Sequence, residues 1–180
     1  MFNAKTIDNF ISIEESNKIL EFVKGIEPWE ESSVEFWSNR GLHARTIYNN
    51  HSKEIGELLY NIRINIGEQI KSLYNLEEIY PDLIQVIRWF PGQEQTPHFD
   101  DMTDKHREFG SVIYLNDDYS GGHTYYPNYN FDIKPEVGKL AIHPGDKDHL
   151  HGVSKVEDNI RYTIVSFWTQ DKSKFHQWTI

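Results

Sequence analysis

The chain has 180 residues, 38% hydrophobic and 14% aromatic, with a formal net charge of −10 and no cysteine. That is about one domain, long enough to bury a core, and its charge offers no general basic field to nucleic acid or anionic lipid. The lack of cysteine excludes disulfides, thiolate metal sites and cysteine nucleophiles, and fits a reducing compartment. Residues 1–8 show no basic stretch leading into an apolar run, and no eighteen-residue apolar segment occurs. Neither a secretory signal nor a membrane span is expected, and a cytoplasmic location is.

In chain order, residues 1–80 read as mainly helical support. Ser12 and Glu15 have the spacing of a capping box, and Ile19, Leu20, Phe22 and Val23 form a helical stripe that stops at Gly25. Residues 28–39 lack periodicity and read as a loop or a short irregular strand; Leu42 to Tyr48 reads as a strand. From Ser52, the residues Ile55, Leu58, Leu59, Ile62, Ile66, Ile70 and Leu73 recur at spacings of three and four, which predicts a long helix packed on a sheet.

From Leu83 the pattern changes to short strands. Residues 83–90, 111–116, 123–127, 138–143, 150–156 and 161–169 are strand-like, with polar or Gly/Pro turns between them. This spacing predicts a sandwich or barrel rather than βαβ units. The expected fold class is α+β: a jelly-roll core over about 83–169, with the N-terminal helices packed on its sheet, in one domain spanning 1–180.

The chemistry concentrates at His98 and Asp100. On an extended strand, residues two apart project from one face, so an imidazole and a carboxylate can grip one metal ion. A second histidine follows in His149-Leu150-His151. Two histidines and a carboxylate with open coordination positions form the facial triad of non-haem Fe(II) oxygenases. His149 and His151 share a strand face, and spacing leaves either as the distal ligand. Arg161 lies ten residues beyond His151 in an otherwise apolar strand. Its planar guanidinium could clamp the distal carboxylate of an iron-chelating 2-oxo acid, with Thr163 as a hydroxyl donor two residues along. Taken singly, an H-x-D pair is more often inconsequential and an arginine more often a surface ion-pair partner.

Together the motifs are specific. His98-Phe99-Asp100, residues 111–116, Gly121-Gly122-His123-Thr124, His151-Gly152-Val153 and Arg161-Tyr162-Thr163 occur in an order that resembles the prolyl 4-hydroxylase-like 2-oxoglutarate/Fe(II) dioxygenases. The Gly-bearing turn at residues 90–93 is similar too. The resemblance implies a double-stranded β-helix and iron held by His98, Asp100 and His151. It also implies 2-oxoglutarate clamped by Arg161, with Tyr114 as a further contact. Two positions depart from the pattern: Trp89 stands where a tyrosine is frequent, and Arg161 where collagen-type members carry lysine. The implied activity is hydroxylation of a C–H bond, with a peptidyl proline as the first expectation, coupled to conversion of 2-oxoglutarate to succinate and CO2. O2 is the oxidant and ascorbate a candidate reductant. The alternatives are the same chemistry on a free amino acid, another peptide residue or a small metabolite, or a non-catalytic metal-binding jelly roll. A peptide, protein or small molecule is the expected partner, and nucleic acid and membrane are not. Loops at residues 29–48 and 99–110 are the expected substrate-facing segments, with Trp37, Arg40, His43 and Arg45 as candidates.

Overall fold

The computed structural model of the chain describes residues 2–102, 106–175 and 177–180. Among these, ten strands pair into two antiparallel sheets, and the alternation of their side chains decides what reaches the interior. The larger sheet runs β1 (Lys5–Ile7), β8 (Leu140–Pro144), β5 (Phe109–Tyr114), β10 (Arg161–Thr169), β3 (Tyr80–Trp89), β2 (Gly41–His43). The smaller runs β4 (Gln95–His98), β9 (His151–Val153), β6 (Thr124–Tyr126), β7 (Phe131–Ile133). Two such facing sheets are the two halves of a jelly roll.

Ile84 and Val86 of β3, with Tyr162, Ile164 and Trp168 of β10, join the core beneath the helices. Their alternates Leu83, Gln85, Ile87 and Trp89, with Arg161, Val165 and Phe167, face a cavity between the sheets. A bulge between Phe167 and Trp168 lets these neighbours serve opposite faces.

The outer face is covered by α1 (Ile13–Lys24) and α3 (Lys53–Tyr74). The Ser12–Glu15 capping box forms at the start of α1, and Ser52 caps α3. Ile55, Leu59, Ile62, Ile66 and Ile70 are all buried, while Leu73 at the end of the stripe is exposed. Gly67 lets α3 approach the Trp168 ring. No helix among the described residues is long and apolar enough to cross a membrane.

Three sequence expectations change. Residues 1–80 contribute the edge strands β1 and β2 as well as helices. The run from Leu42 is a strand only to His43; it then winds into α2 (Ala44–Thr46) and a π-helical turn at Ile47–His51. That winding seats Tyr48 against Gly56 of α3, where any Cβ would collide with it. Finally, β4 ends at His98, and Asp100 opens a 3-10 turn, Asp100–Met102.

Candidate active site

The expected metal ligands meet at the base of the cavity. His98 of β4 and His151 of β9 are direct cross-strand partners, with ring centroids 4.5 Å apart. Asp100 joins them through the turn after β4 rather than through strand alternation. Its Oδ1 lies 3.9 Å from His98 Nε2 and 3.7 Å from His151 Nε2. One ligand atom from each of the three residues lies within 4.8 Å of the others.

Backbone carbonyls fix both imidazoles. His98 Nδ1–H donates to Thr96 O at 3.1 Å, and His151 Nδ1–H to His149 O at 2.9 Å. Each bond leaves Nε2 unprotonated on the side of Asp100, the usual way a protein orients a metal-binding histidine, and the Gln95 side-chain N–H donates to His98 Nε2 at 3.3 Å. Burial, with His143 alongside, pushes the His151 imidazole down to about 3, against the pull of Asp100, so it is neutral at ordinary pH. Burial alone would raise the Asp100 carboxyl; the hydrogen bond from His143 and the three neighbouring imidazoles outweigh it and hold the group below the usual carboxylate range. A neutral imidazole and an ionised carboxylate are the forms a divalent cation needs.

The two downstream histidines differ in their partners. His149 Nε2 accepts from Asn3 N at 3.1 Å, and its Nδ1 meets Asp146 Oδ1 at 2.8 Å. Nε2 thereby ties down the N-terminal segment and Nδ1 the Asp146 side chain, with Phe2 stacked on the ring.

Arg161 is buried on the cavity wall opposite Trp89, its cross-strand partner. Its guanidinium lies 5.6 Å from the Trp89 ring and 5.4 Å from that of Tyr114. The Tyr114 hydroxyl is already bonded to Thr124 Oγ1 at 2.8 Å, so the ring rather than a free hydroxyl supports the arginine. Four buried polar atoms on these strands and the adjoining turn have no hydrogen-bond partner: Trp89 Nε1, Tyr119 Oη, Arg161 Nε and Thr163 Oγ1. Orphaned donors at this density are costly unless a ligand satisfies them. They fit an anion with several oxygens, such as the distal carboxylate of 2-oxoglutarate. A second guanidinium, that of Arg40, lies 4.2 Å from the Trp89 ring, and burial together with the Arg161 charge lowers it to about 10.

The cavity, about 350 Å³, is also lined by Ser32, Trp37 and His43 from the 29–48 segment. Arg40 lies behind Trp89 and Arg45 is exposed, so neither candidate lines it. Of the second expected loop, residues 103–105 lie outside the described residues. Sequence reasoning missed Tyr119, which sits against Arg161 across Gly122. It also gave no role to His143, although this histidine is buried and bonded to Asp100. The one signal for His143 was an imidazole in an otherwise apolar strand.

Comparison with known proteins gives the same picture. Residues 84–170 match the sequence profile of the 2OG-Fe(II) oxygenase superfamily. Over 127 residues the chain is 32% identical to a "putative prolyl 4-hydroxylase" of Acanthamoeba polyphaga mimivirus. The match takes in 59% of this chain and 52% of that protein, so the chain spans about half the length of this curated relative. Among solved structures, the viral collagen prolyl hydroxylase of Paramecium bursaria Chlorella virus-1, in its 2OG complex, superposes with a TM-score of 0.72 at 20% identity. That superposition covers 94% of this chain and 97% of the viral one. A Trichoplax adhaerens prolyl hydroxylase in complex with a hypoxia inducible factor peptide gives a TM-score of 0.75 at 16% identity, covering 97% of this chain and 86% of that one. In sequence over 84–170 this chain is similar to the 2OG-Fe(II) oxygenase superfamily, and its jelly roll is similar to those of the two prolyl hydroxylases.

Proposed function

We propose that the chain is a 2-oxoglutarate- and Fe(II)-dependent dioxygenase that hydroxylates a peptidyl proline. The observation that carries this reading is the convergence of His98 Nε2, Asp100 Oδ1 and His151 Nε2 beside a buried, unsatisfied Arg161 Nε in one cavity. His98, Asp100 and His151 would hold the iron; Arg161, Thr163 and the Trp89 indole N–H would hold the distal carboxylate of 2-oxoglutarate, with Tyr114 supporting the arginine ring-on. Bound together, Fe(II) and 2-oxoglutarate would supply the oxidising power to place one oxygen atom of O2 in the substrate C–H bond and the other in succinate, with release of CO2. The chain itself positions and dries. Ile87, Val153, Val165 and Phe167 line the cavity with apolar surface that excludes water, and Trp37 and His43 lie on the side from the N-terminal segment. Proline as the target rests on the names of the relatives, two of which are prolyl hydroxylases of solved structure. Ascorbate as reductant belongs to the same proposal.

The test is an anaerobic titration of the metal-free protein with Fe(II) and 2-oxoglutarate, following the visible charge-transfer band of the chelate. The band is expected in the wild type and in His149→Ala, and absent in His151→Ala. Arg161→Ala should need at least tenfold more cosubstrate, since a charge-assisted bidentate contact is lost. No band despite bound iron would sink the 2-oxoglutarate mechanism and favour a metal-binding module. A panel of proline peptides then tests the target: a mass gain of one oxygen matched by succinate is expected, and a panel without it removes peptidyl proline.

A further inference from the structure

The two oxygens of Asp100 face different partners. Oδ1 turns toward His98 and His151, whereas Oδ2 lies 3.2 Å from His143 Nε2. The carboxylate accepts only, so His143 must carry its proton on Nε2. Its Nδ1 then accepts from the Tyr126 hydroxyl at 2.9 Å. Both side chains are buried, His143 at 2% exposed and Tyr126 at 0%. His143 belongs to β8 of the larger sheet and Tyr126 to β6 of the smaller, so the pair bridges the two. Space for it is reserved: His143 pairs across β5 with Gly110, where a Cβ would collide with both Asp100 and His143.

We propose that Tyr126 and His143 act as positioning residues that reserve Oδ2 of Asp100, so that the carboxylate presents a single oxygen to the metal ion. This rests on the triad reading above. An aspartate that swung to offer both oxygens would consume a coordination position that cosubstrate or oxygen requires. A donor locked on Oδ2 prevents that swing. The tyrosine fixes the tautomer: without its O–H on Nδ1, the ring is free to move its proton there and turn a lone pair on Asp100.

The proposal also separates positioning from direct ligation, because the His143 ring centroid lies only 4.1 Å from that of His151. The test is a titration of metal-free protein with Co(II), read as the dissociation constant from its visible absorption, with the thermal midpoint of each metal-free variant as the folding control. His143→Phe, which fills the site without a donor, should weaken Co(II) at least tenfold, in the range found for orienting partners of metal ligands. His143→Gln keeps an N–H near the Nε2 position and should bind within about threefold of the wild type. Tyr126→Phe, which changes one hydroxyl and keeps the ring packed, should weaken binding severalfold and serves if His143→Phe does not fold. Unchanged affinity in His143→Phe, or in Tyr126→Phe where that stands in for it, overturns the proposal. So does a His143→Gln as weak as the phenylalanine variant, which would make His143 a ligand or a packing element. A folded wild type that fails to bind Co(II) instead overturns the triad itself, and this inference with it.

Discussion

Thr163 shows how a single buried hydroxyl can be read for function. It is fully buried on β10 and its Oγ1 has no partner. An unsatisfied buried hydroxyl destabilises the protein that carries it by about 1–3 kcal/mol, and the cavity face on which it sits also bears Arg161. Thr163→Val replaces the hydroxyl by a methyl of similar size. If the hydroxyl serves the cosubstrate carboxylate, two effects of opposite sign follow. The metal-free protein should gain about 1 kcal/mol in chemical denaturation, while the metal-loaded protein should bind 2-oxoglutarate roughly tenfold more weakly, the loss of one hydrogen bond to a charged group. A valine variant that loses stability and keeps its cosubstrate affinity would make the hydroxyl structural. Arg161 obeys the same logic at larger scale, since the fold leaves its Nε without any protein acceptor.

Among the elements, the segment from Trp29 to His43 borders the cavity, and a clasp between Glu30 and His43 joins its ends. His43 N donates to Glu30 Oε1 at 2.9 Å, and the His43 ring meets the other oxygen of Glu30. The bond to Glu30 raises the His43 imidazole above its ordinary 6.5, with burial opposing. Burial alone would raise the Glu30 carboxyl, but its bonds to His43 and Thr46 leave it below its ordinary 4.5. The stability linked to His43 is therefore complete below pH 6.5 and fades as pH climbs through the raised value; that linked to Glu30 is complete above pH 4.5 and fades as pH falls through the lowered one. The clasp is tightest between those limits. Protection of the His43 amide against hydrogen exchange, corrected for the intrinsic rate, should peak near pH 5.5 and decline toward pH 9. In His43→Gln the decline toward pH 9 should be lost; a wild-type profile without that decline would remove the clasp.

The same scale explains what was legible in the chain. Helix α3 and strand β10 could be read directly because each is long, with one face fixed by burial: Ile55 to Ile70 at helical spacing, Tyr162 and Ile164 alternating with Arg161 and Thr163. The strand β4 was not legible. Gln95-Thr96-Pro97-His98 has no apolar alternation and is a strand only because β9, distant in sequence, pairs with it. The short edge strands β1 and β7 carried too few residues for any period. Leu42 to Tyr48 looked like a strand because its apolar residues are dense, and it winds up instead where Tyr48 packs on Gly56. At the site, motif spacing brought out His98, Asp100 and the His149/His151 pair as candidates, but the hydrogen bonds of His143 and Tyr126 depend on two sheets meeting, which no local pattern encodes.

For the molecule as a whole, the metal reading has a thermodynamic consequence. The smaller sheet runs β4-β9-β6-β7, so His98 lies on its edge strand, and β4 is held to β9 by a short, irregular pairing. An ion bound by His98, Asp100 and His151 would tie that edge strand to its neighbour across a long loop of chain, in the folded state only. Binding to the folded state alone stabilises by about 2.7 kcal/mol at a free concentration one hundredfold above Kd. For a protein of this size that corresponds to a rise in Tm of roughly 5–10 °C. Addition of Mn(II), chosen to avoid oxidation chemistry, should produce such a rise, and a chelator should reverse it. The control matters because a net charge of −10 attracts divalent cations to the surface without any built site. Surface binding is nonspecific and screened by salt, so it should survive His151→Ala and vanish at high ionic strength. Binding at the triad should do the opposite, persisting in salt and disappearing in His151→Ala. A rise that remains in His151→Ala would put the ion on the acidic surface and leave the convergence of the three side chains without a metal to explain it.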